Sequence, residues 1–447
     1  MGCSPMRCIR AVIVLLLFTS AAVCSGCERS SKASKTRSQE AGAGTQAASR
    51  PTARCSNAKA QGVFTLGTPG PIPNEEEDQH ALDVPFAIEV GGAARLGEGF
   101  AVAMLEPLSD GSHAKLAIVG ADAKSGRIID LGRVHGDAAP PRVASHGSTV
   151  AVVVPDADAA GATLRLAIIR DATTKPDVDW GFDVSEGWDE SAAFDVALSR
   201  EGGVIVFDRM VRGARAIHAV AFSSANPDIM RGEPLVVSPD GSWGESPQLA
   251  VGASGFWVAW LERVEARPGQ DAGRTEDDPT LDVGPAMLKV RSLSSLAVPT
   301  GVPLAVQQRP EHIFAFDLTM AKSAVLAWRQ ASHGPGSERG LVHVAHVRPD
   351  GSMVTQQVEQ QEAGVGVPVL MAAEPGHDEA WLVLPAVDGQ PQLGLVSEGR
   401  VAGDLRSEPA IGVAEPLLRT ENGLLLAVPR GRAVELSLVD CLVKRAP

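Results

Sequence analysis

A short apolar run recurs seven times along this chain, at intervals of about 50 residues. Each copy begins at a small or polar turn residue and continues with β-branched, aliphatic or aromatic residues. Runs of this kind predict strands that are buried on both faces of a sheet, and their regular spacing indicates an array of similar units. The copies are GFAVAM at 99–104, STVAVVV at 148–154, GGVIVF at 202–207, GFWVAW at 255–260, SAVLAW at 323–328, EAWLVL at 379–384 and GLLLAV at 423–428.

Further runs flank each copy in a constant order. A shorter run precedes it and is usually opened by proline, which suits the first residue of a strand. A more strictly alternating run follows, as expected of a strand nearer solvent, and most units add a fourth, weaker strand. No stretch keeps a 3.6-residue period, so helices should be almost absent. The sequence therefore predicts seven units of three to four antiparallel strands.

Seven such units resemble the blades of a β-propeller over nearly all of residues 60–443. The resemblance implies an all-β fold, a seven-bladed β-propeller of four-stranded antiparallel blades. An eight-bladed ring and two stacked sandwiches are the structural alternatives. No WD dipeptide, kelch diglycine or strict Asp-box assigns the chain to a named propeller subfamily. In propellers a terminal strand often completes the last blade, and Val63–Gly67 is a strand without a partner in its own unit.

The N-terminal residues have the pattern of a targeting segment. Two arginines precede an apolar run over residues 11–23, which is too short for a membrane span and typical of a signal peptide. Small residues then lead to Cys27. This order resembles the lipobox of bacterial lipoproteins, which implies a signal peptide over residues 1–26 and lipidation of Cys27, with Cys24 as the alternative acceptor. An ordinary cleaved signal peptide is the competing interpretation.

Residues 27–54 are predicted to form a flexible tether between the lipid and the folded domain. They almost lack large apolar side chains and cannot bury enough surface to offset the entropy of ordering. The propeller domain is then expected over residues 55–447. In bacterial lipoproteins, which this segment resembles, an Asp directly after the lipidated cysteine is linked to retention at the inner membrane. Here that position is occupied by Glu28. We therefore expect export and anchoring in the cell envelope, with the outer membrane favoured.

Charge limits the possible partners. The formal net charge is −14, and an acidic protein is poorly suited to nucleic acid, whose binding depends on neutralising phosphates. The expected partners are a membrane, through the N-terminal lipid anchor, and an unknown envelope protein. We expect a monomer.

Two cysteines, Cys55 and Cys441, lie outside the signal peptide and the lipobox. An exported protein meets an oxidising environment, which favours a disulfide between them over two separate buried thiols. If Val63–Gly67 completes the last blade, as the propeller resemblance implies, closure of the ring would also bring Cys55 close to Cys441.

Signatures of catalysis are scarce. The sequence contains no HExxH, P-loop, GxSxG or zinc-type spacing after the lipobox. Tyrosine is absent, which excludes the Tyr nucleophile of sialidases. The segment DADAAG at 156–161 has two carboxylates spaced as in some calcium loops but lacks the other oxygen ligands, so a solvated turn is the preferred interpretation. We expect no catalytic residue, metal or cofactor.

The candidate binding site comes from a repeated W-x-E-S motif, in GWDESAAF at 187–194 and SWGESPQL at 242–249. Each copy directly precedes the innermost strand of a unit, and in propellers that connection lies on the top face beside the central channel. Tryptophan beside a carboxylate could bind a cationic or hydroxylated ligand. In the structural alternative, the tryptophan packs over the edge of the blade and the glutamate caps local backbone groups. The candidate residues are Trp188, Glu190, Trp243 and Glu245, with Glu311, His312 and Glu408 at comparable points.

These observations favour a membrane-anchored, non-catalytic scaffold that binds protein in the envelope. One alternative is a small-ligand or carbohydrate binder on the top face, although an aromatic content of only 4% weakens a role in sugar binding. The other is a hydrolase that uses top-face carboxylates. The longest insertion, residues 264–285, is acidic and rich in Gly and Pro, and should also face the top because it joins the second and third strands of the fourth unit.

Overall fold

The computed structural model describes most of the chain from Thr52 to Lys444, and every regular element in this part is a β-strand. None of the described residues forms a helix, so the described part includes no helix long and apolar enough to cross a membrane. The described residues are 52–56, 63–67, 87–109, 111–135, 139–158, 161–184, 193–211, 214–225, 233–263, 285–331, 340–363, 369–372, 377–384, 391–402, 405–408, 410–411 and 414–444.

The strands form seven antiparallel sheets, each corresponding to one predicted unit. We number them as blades 1 to 7 in chain order. Blade 1 contains β3 (Glu89–Leu96), β4 (Gly99–Leu108), β5 (Gly111–Val119) and β6 (Gly126–Val134). Blade 2 contains β7 (Arg142–His146), β8 (Thr149–Asp158), β9 (Gly161–Arg170) and β10 (Asp177–Asp183). Blade 3 contains β11 (Phe194–Ser199), β12 (Gly202–Val211), β13 (Ala214–Phe222) and β14 (Leu235–Val236).

The next two blades have the same order. Blade 4 contains β15 (Trp243–Gly252), β16 (Gly255–Arg263), β17 (Ala286–Leu293) and β18 (Pro299–Ala305). Blade 5 contains β19 (Ile313–Met320), β20 (Ala324–Ala331), β21 (Gly340–Val347) and β22 (Met353–Ala363). The insertion predicted in the fourth unit does join β16 to β17, and residues 264–284 of it lie outside the described part.

The fourth strand of each remaining blade is divided into two pieces. Blade 6 contains β23 (Val369–Ala372), β24 (Glu379–Leu384), β25 (Gln392–Ser397), β26 (Arg400–Val401) and β27 (Arg406–Ser407). Blade 7 contains β28 (Glu415–Arg419), β29 (Gly423–Arg430) and β30 (Ala433–Lys444), completed by β1 (Thr52–Cys55) and β2 (Val63–Leu66).

The first strands of successive blades contact one another, and the first strand of blade 7 contacts that of blade 1. The sheets therefore form a closed ring with the first strands innermost, which confirms the predicted seven-bladed propeller. The buried apolar residues fall into seven clusters, one at each junction between neighbouring blades. This arrangement explains the uniformly apolar second strands, because both faces of each blade pack against a neighbour.

Blade 7 is closed by the N-terminal strands, as the sequence predicts. Both β1 and β2 pair with β30, in antiparallel register with Cys55 opposite Cys441 and Leu66 opposite Val434. The predicted disulfide between Cys55 and Cys441 is present. The first paired residue, Thr52, lies three residues before the predicted start of the domain.

Candidate functional site at the junction of blades 3 and 4

One face of the ring carries the connections between blades. Because strands alternate in direction, the link from the fourth strand of one blade to the first strand of the next shares a face with the hairpin between second and third strands. We call this the connection face. Trp243 begins β15 on this face, opposite Arg263 at the end of β16. The W-x-E-S copy at 243–246 therefore lies within the first strand of blade 4 rather than before it.

Glu245 forms an ion pair across the first two strands of blade 4. Its Oε1 accepts a hydrogen bond from Nε of Arg263 at 2.6 Å, and both side chains are largely but not fully buried. A charge-assisted contact of this kind fixes the carboxylate against its own blade. The carboxylate predicted to face a ligand is therefore already paired with an arginine.

A β-bulge interrupts β15 directly after Glu245. The pairing register shifts between Glu245 and Gln248, and Ser246 has a positive φ of 55°, an uncommon conformation for a residue other than glycine. Pro247 lies within the bulge, where a missing backbone N–H interrupts no ladder. The bulge turns the N–H of Ser246 toward blade 3, where it donates to Oδ2 of Asp208 at 3.0 Å.

Asp208, on the second strand of blade 3, holds this junction together. The residue is only 1% exposed, and its carboxylate accepts the N–H of Ala193 at 2.9 Å as well as that of Ser246. Nη1 of Arg215 lies 3.3 Å from Oδ1. Burial, with a smaller contribution from the negative charge of Glu245, raises the pKa of Asp208 to about 6, although the positive charge of Arg215 and the backbone donors lower it. One carboxylate thus joins the segments that lead into blades 3 and 4.

The glycine of the motif permits a close approach of the two blades. A Cβ at Gly244 would lie 2.9 Å from Cγ1 of Ile217 in blade 3 and 3.3 Å from Cδ1 of Trp260. Both contacts are tighter than ordinary van der Waals packing, so a larger residue would push the segment away from the core. Glycine therefore lets the backbone of this segment approach blade 3. Its strand neighbours Trp243 and Glu245 lie on the opposite face of β15, the face shared with Leu261 and Arg263.

The sequence did not indicate Asp208 as a functional residue. It directly follows the apolar run at 202–207, where any charged residue could mark the point at which a buried strand reaches solvent. Trp188 and Glu190, the first copy of the motif, lie outside the described residues. Their proximity to Trp243 and Glu245 stays a prediction.

Glu311 and His312 lie at the next junction, between blades 4 and 5. The backbone of Glu311 forms a two-way bridge with Ala286, and its carboxylate accepts from Nε of Arg309 at 2.7 Å. His343 stacks on Trp328 nearby, with ring centroids 5.1 Å apart. Burial lowers the pKa of His343, and the negative charge of Glu311 partly opposes this shift.

Glu408 lies at the outer edge of blade 6, beside the ring closure. Its side chain is buried and its Oε2 accepts the N–H of Cys55 at 3.2 Å. Burial raises the pKa of Glu408, while Cys55 N–H and the nearby arginines Arg54 and Arg406 lower it. The described candidate residues therefore extend from blade 4 to the outer edge of blade 6, and the structure does not bring them together in one pocket.

The segment considered for calcium is engaged in ion pairs. Asp156 contacts Nδ1 of His135 at 3.0 Å and Nη1 of Arg165 at 3.6 Å. Within the described ranges, no group of three His, Cys, Asp or Glu side chains is arranged to hold a metal ion.

Comparison with known proteins supports the fold and leaves the function open. No protein-family model matches the sequence, and no curated protein matches it. Among solved structures, the chain is similar to polysaccharide lyase Uly1, with 8% identity and a TM-score of 0.50 over 86% of this chain and 100% of that one. It is also similar to the β-propeller domain of the Trilobed protease from Pyrococcus furiosus, with 10% identity and a TM-score of 0.44 over 80% and 95% of the two chains.

An acylaminoacyl peptidase from Pyrococcus horikoshii is matched at 10% identity and a TM-score of 0.44 over 80% of this chain. The match covers 51% of the peptidase, so the chain corresponds to about half of that protein. At such low identities the similarities concern the fold alone. The chain is a seven-bladed β-propeller.

Proposed function

We propose that this protein is an envelope-anchored, non-catalytic β-propeller that binds a partner protein at the junction of blades 3 and 4. The observation that carries the proposal is the buried Asp208, which fixes the Trp243–Ser246 segment on the connection face. The junction surface comprises Met210 near the end of β12 and Trp243, Glu245 and Arg263 at the connection-face ends of β15 and β16.

The composition of the junction surface suits contact with a protein. Met210 is 40% exposed near the end of β12, whereas most large apolar residues in the described part of the domain are less exposed. Trp243 is partly exposed at the start of β15. Tryptophan, methionine and arginine are enriched at the centres of protein interfaces, where apolar area and a few directed polar groups are combined.

Rigidity of the surface supports the same proposal. Asp208 bonds to Ser246 in blade 4, to Ala193 ahead of β11, and to Arg215 in β13. A surface held in one conformation before binding loses less conformational entropy when a partner arrives. The connection face is thereby preorganised for recognition at this junction.

The carboxylates at this junction are poorly suited to catalysis. A general acid or base has to come within hydrogen-bonding distance of the substrate. Asp208 is 1% exposed and accepts from three donors, and Glu245 is bound to Arg263. Their contacts serve the packing of the blades, which favours a scaffold over a hydrolase.

The location is proposed from the N-terminal sequence. The lipobox-like order ending at Cys27 supports lipidation, and the apolar-poor segment that follows would reach β1, where the chain joins the outer edge of blade 7 at Thr52. The domain would then be held near the outer membrane with its connection face free to meet an envelope protein.

Affinity capture tests this function. The full-length protein and Trp243→Ala are used as baits in envelope extracts, and captured proteins are quantified by mass spectrometry. Val302→Ala serves as the matched control, because Val302 is 76% exposed on the outer strand of blade 4, away from the junction. We expect a protein captured by the wild type and the control to be lost with Trp243→Ala. If the wild type, Trp243→Ala and Val302→Ala captured the same proteins at equal folded yield, the proposal would be contradicted.

A further inference from the structure

A histidine is buried between blades 5 and 6. His346 lies on β21, the third strand of blade 5, and only 1% of the residue is exposed. It pairs with Val325 of β20 and Val354 of β22, and Val342 and Val344 of its own strand pack against blade 6. Because alternate residues of a strand share a face, the imidazole is also directed toward blade 6.

Asp378 of blade 6 lies beside this imidazole. Nε2 of His346 is 3.5 Å from Oδ1 of Asp378, which is longer than a normal hydrogen bond. Neither ring nitrogen has a hydrogen-bond partner among the described protein atoms. Burial of this kind favours the neutral imidazole, because a charged group loses its hydration when it is buried.

Asp378 also joins blade 6 to the inner turn of blade 5. It directly precedes β24, and its Oδ1 accepts the N–H of Lys322 at 3.1 Å and that of Ser323 at 3.2 Å. Its Oδ2 accepts a hydrogen bond from the hydroxyl of Ser323 at 3.3 Å. Lys322 and Ser323 form the turn between β19 and β20, on the face opposite the connection face. One carboxylate thus contacts both this turn and the buried histidine.

A turn of blade 6 covers His346. Glu398 and Gly399 lie between β25 and β26, and both have positive φ angles, of 51° and 77°. A Cβ at Gly399 would lie 2.6 Å from the carbonyl oxygen of Val354 and 3.1 Å from Cβ of His346. Glycine permits this approach, so the backbone of the turn packs directly on the histidine.

Charged groups of both blades act on the imidazole. Asp378 and Glu398 belong to blade 6, and Arg348 belongs to the turn that follows β21. Burial lowers the pKa of His346 below its ordinary value of 6.5, and Arg348 lowers it further, whereas the two carboxylates raise it. The net shift is downward, so His346 is neutral at pH 7 and gains a proton only at lower pH.

We propose that His346 and Asp378 form an acid-sensitive latch between blades 5 and 6, in which protonation of His346 draws Asp378 away from the inner turn of blade 5. The imidazolium has two N–H donors, and a charge-assisted hydrogen bond is about twice as strong as one from a neutral amide. The charged donor therefore competes with the two amides for Oδ1, and the turn loses its contact with blade 6. The latch lies on the face opposite the connection face, separate from the junction surface.

Proton binding sets the direction and size of the effect. In the open latch the imidazole meets water and has its ordinary pKa of 6.5, whereas in the closed latch its pKa is lower. The closed latch is therefore most favoured above pH 6.5 and loses stability as pH falls below that value. At pH 5 this difference favours the open latch by up to about thirtyfold.

Hydrogen exchange at the inner turn of blade 5 tests the latch. Protection factors of the Lys322 and Ser323 amides are measured in the full-length protein at pH 7 and pH 5, after correction for the intrinsic effect of pH on exchange. We expect protection to fall about ten- to thirtyfold at pH 5 in the wild type and to change less than about twofold in His346→Gln, which cannot become charged. Unchanged protection in the wild type, or an equal fall in His346→Gln, would overturn the proposal. If His346→Gln does not fold, His346→Phe removes the same titration with a side chain suited to burial.

A second histidine of the same strand provides the matched control. His343 stacks on Trp328, which packs against blade 4, and burial lowers the pKa of His343 as well. His343→Gln should therefore keep the acid response of the wild type at the inner turn of blade 5. Loss of that response would assign the titration to His343 and overturn the latch.

Removal of the carboxylate tests the other half of the latch. Asp378→Ala leaves the amides of Lys322 and Ser323 without their acceptor, so their protection at pH 7 should already fall at least about tenfold. Protection in β4 of blade 1 should stay at the wild-type level. Wild-type protection of the two amides in Asp378→Ala would show that this carboxylate does not hold the turn and would overturn the proposal.

Discussion

The junction of blades 3 and 4 and the closure of blade 7 hold neighbouring parts of the ring in different ways. At the junction, Asp208 accepts hydrogen bonds from Ser246, Ala193 and Arg215. At the closure, β1 and β2 pair with β30 and a disulfide joins Cys55 to Cys441. The first contact responds to the protonation of one buried carboxylate, and the second responds to the redox state of a cysteine pair.

Distance along the chain explains the difference. Ala193 and Ser246 lie 15 and 38 positions from Asp208, so their contact closes short loops. The cysteines are 386 positions apart, and bringing such distant segments together costs more conformational entropy. A covalent bond removes that cost from folding by constraining the unfolded chain. The ring therefore has its covalent bond where closure is least favourable.

Loss of the disulfide should have the largest effect on stability. We expect Cys55→Ser with Cys441→Ser to lower the free energy of unfolding by about 2–5 kcal/mol, because the unfolded chain is no longer constrained. Chemical denaturation measures this change. Reducing agent should destabilise the wild type by a similar amount and leave the variant unchanged. Equal stability of the oxidised and reduced wild type would refute the role given to this bond.

Removal of the carboxylate at Asp208 should have the next largest effect. Asp208→Ala leaves the N–H groups of Ser246 and Ala193 without their acceptor and Arg215 without its ion-pair partner, which should cost about 2–4 kcal/mol. Hydrogen exchange at Ser246 should accelerate, while exchange in β30 stays at the wild-type rate. If the amides of β30 lost protection from exchange to the same extent, the junction and the closure would unfold as one cooperative unit. The two regions would then not be held independently.

The pH dependence of stability should distinguish the junction from the closure. The pKa of Asp208 rises from 3.8 to about 6 in the folded protein, so the folded state holds a proton that the unfolded state has released. Its stabilising contribution is complete below about pH 4 and is lost as pH rises through 6, with a limit of about 3 kcal/mol.

Asp208→Asn cannot ionise at this position and provides the reference. Urea denaturation of both proteins between pH 4 and 7 should show the wild type losing stability relative to Asp208→Asn as pH rises. Parallel pH profiles would contradict the assignment of this titration to Asp208. The serine double variant of the cysteines should retain the wild-type pH profile, because the disulfide does not titrate.

The smallest effect should come from Glu245. Its ion pair with Arg263 is partly exposed to solvent, and such pairs contribute about 1 kcal/mol or less. We expect Glu245→Gln to leave the thermal unfolding temperature within a few degrees of the wild type and to weaken partner capture. A loss of stability as large as that of Asp208→Ala would show that the pair supports the fold rather than the binding surface.

Most of the ring could be predicted from sequence because the second strands are buried on both faces. Runs such as GFWVAW at 255–260 leave little alternative to a central strand. The ends of the fourth strands are harder to predict from sequence, because each is an outer strand that pairs with its blade along one edge only. In blade 3 the fourth strand is reduced to β14, with two residues, and in blade 6 it is divided into β26 and β27.

The junction contacts could not be predicted to the same extent. The repeated W-x-E-S motif directs attention to the segment containing Ser246, but the bond from its N–H to Asp208 depends on the bulge and on the register of two different blades. The charge interactions between inner strands have the same origin. Arg142 and Glu415 are 273 positions apart, and only closure of the ring places their charges near each other.

Photo-crosslinking from the junction surface shows directly whether a partner protein contacts it. A photoreactive amino acid is placed at Met210, or at Val302 as the control, and intact cells that export the full-length protein are irradiated. We expect one discrete crosslinked protein from Met210, absent from Val302 and lost when Asp208→Ala is combined with the label. No crosslink from Met210, or the same products from both positions, would contradict a partner-binding surface at the junction of blades 3 and 4.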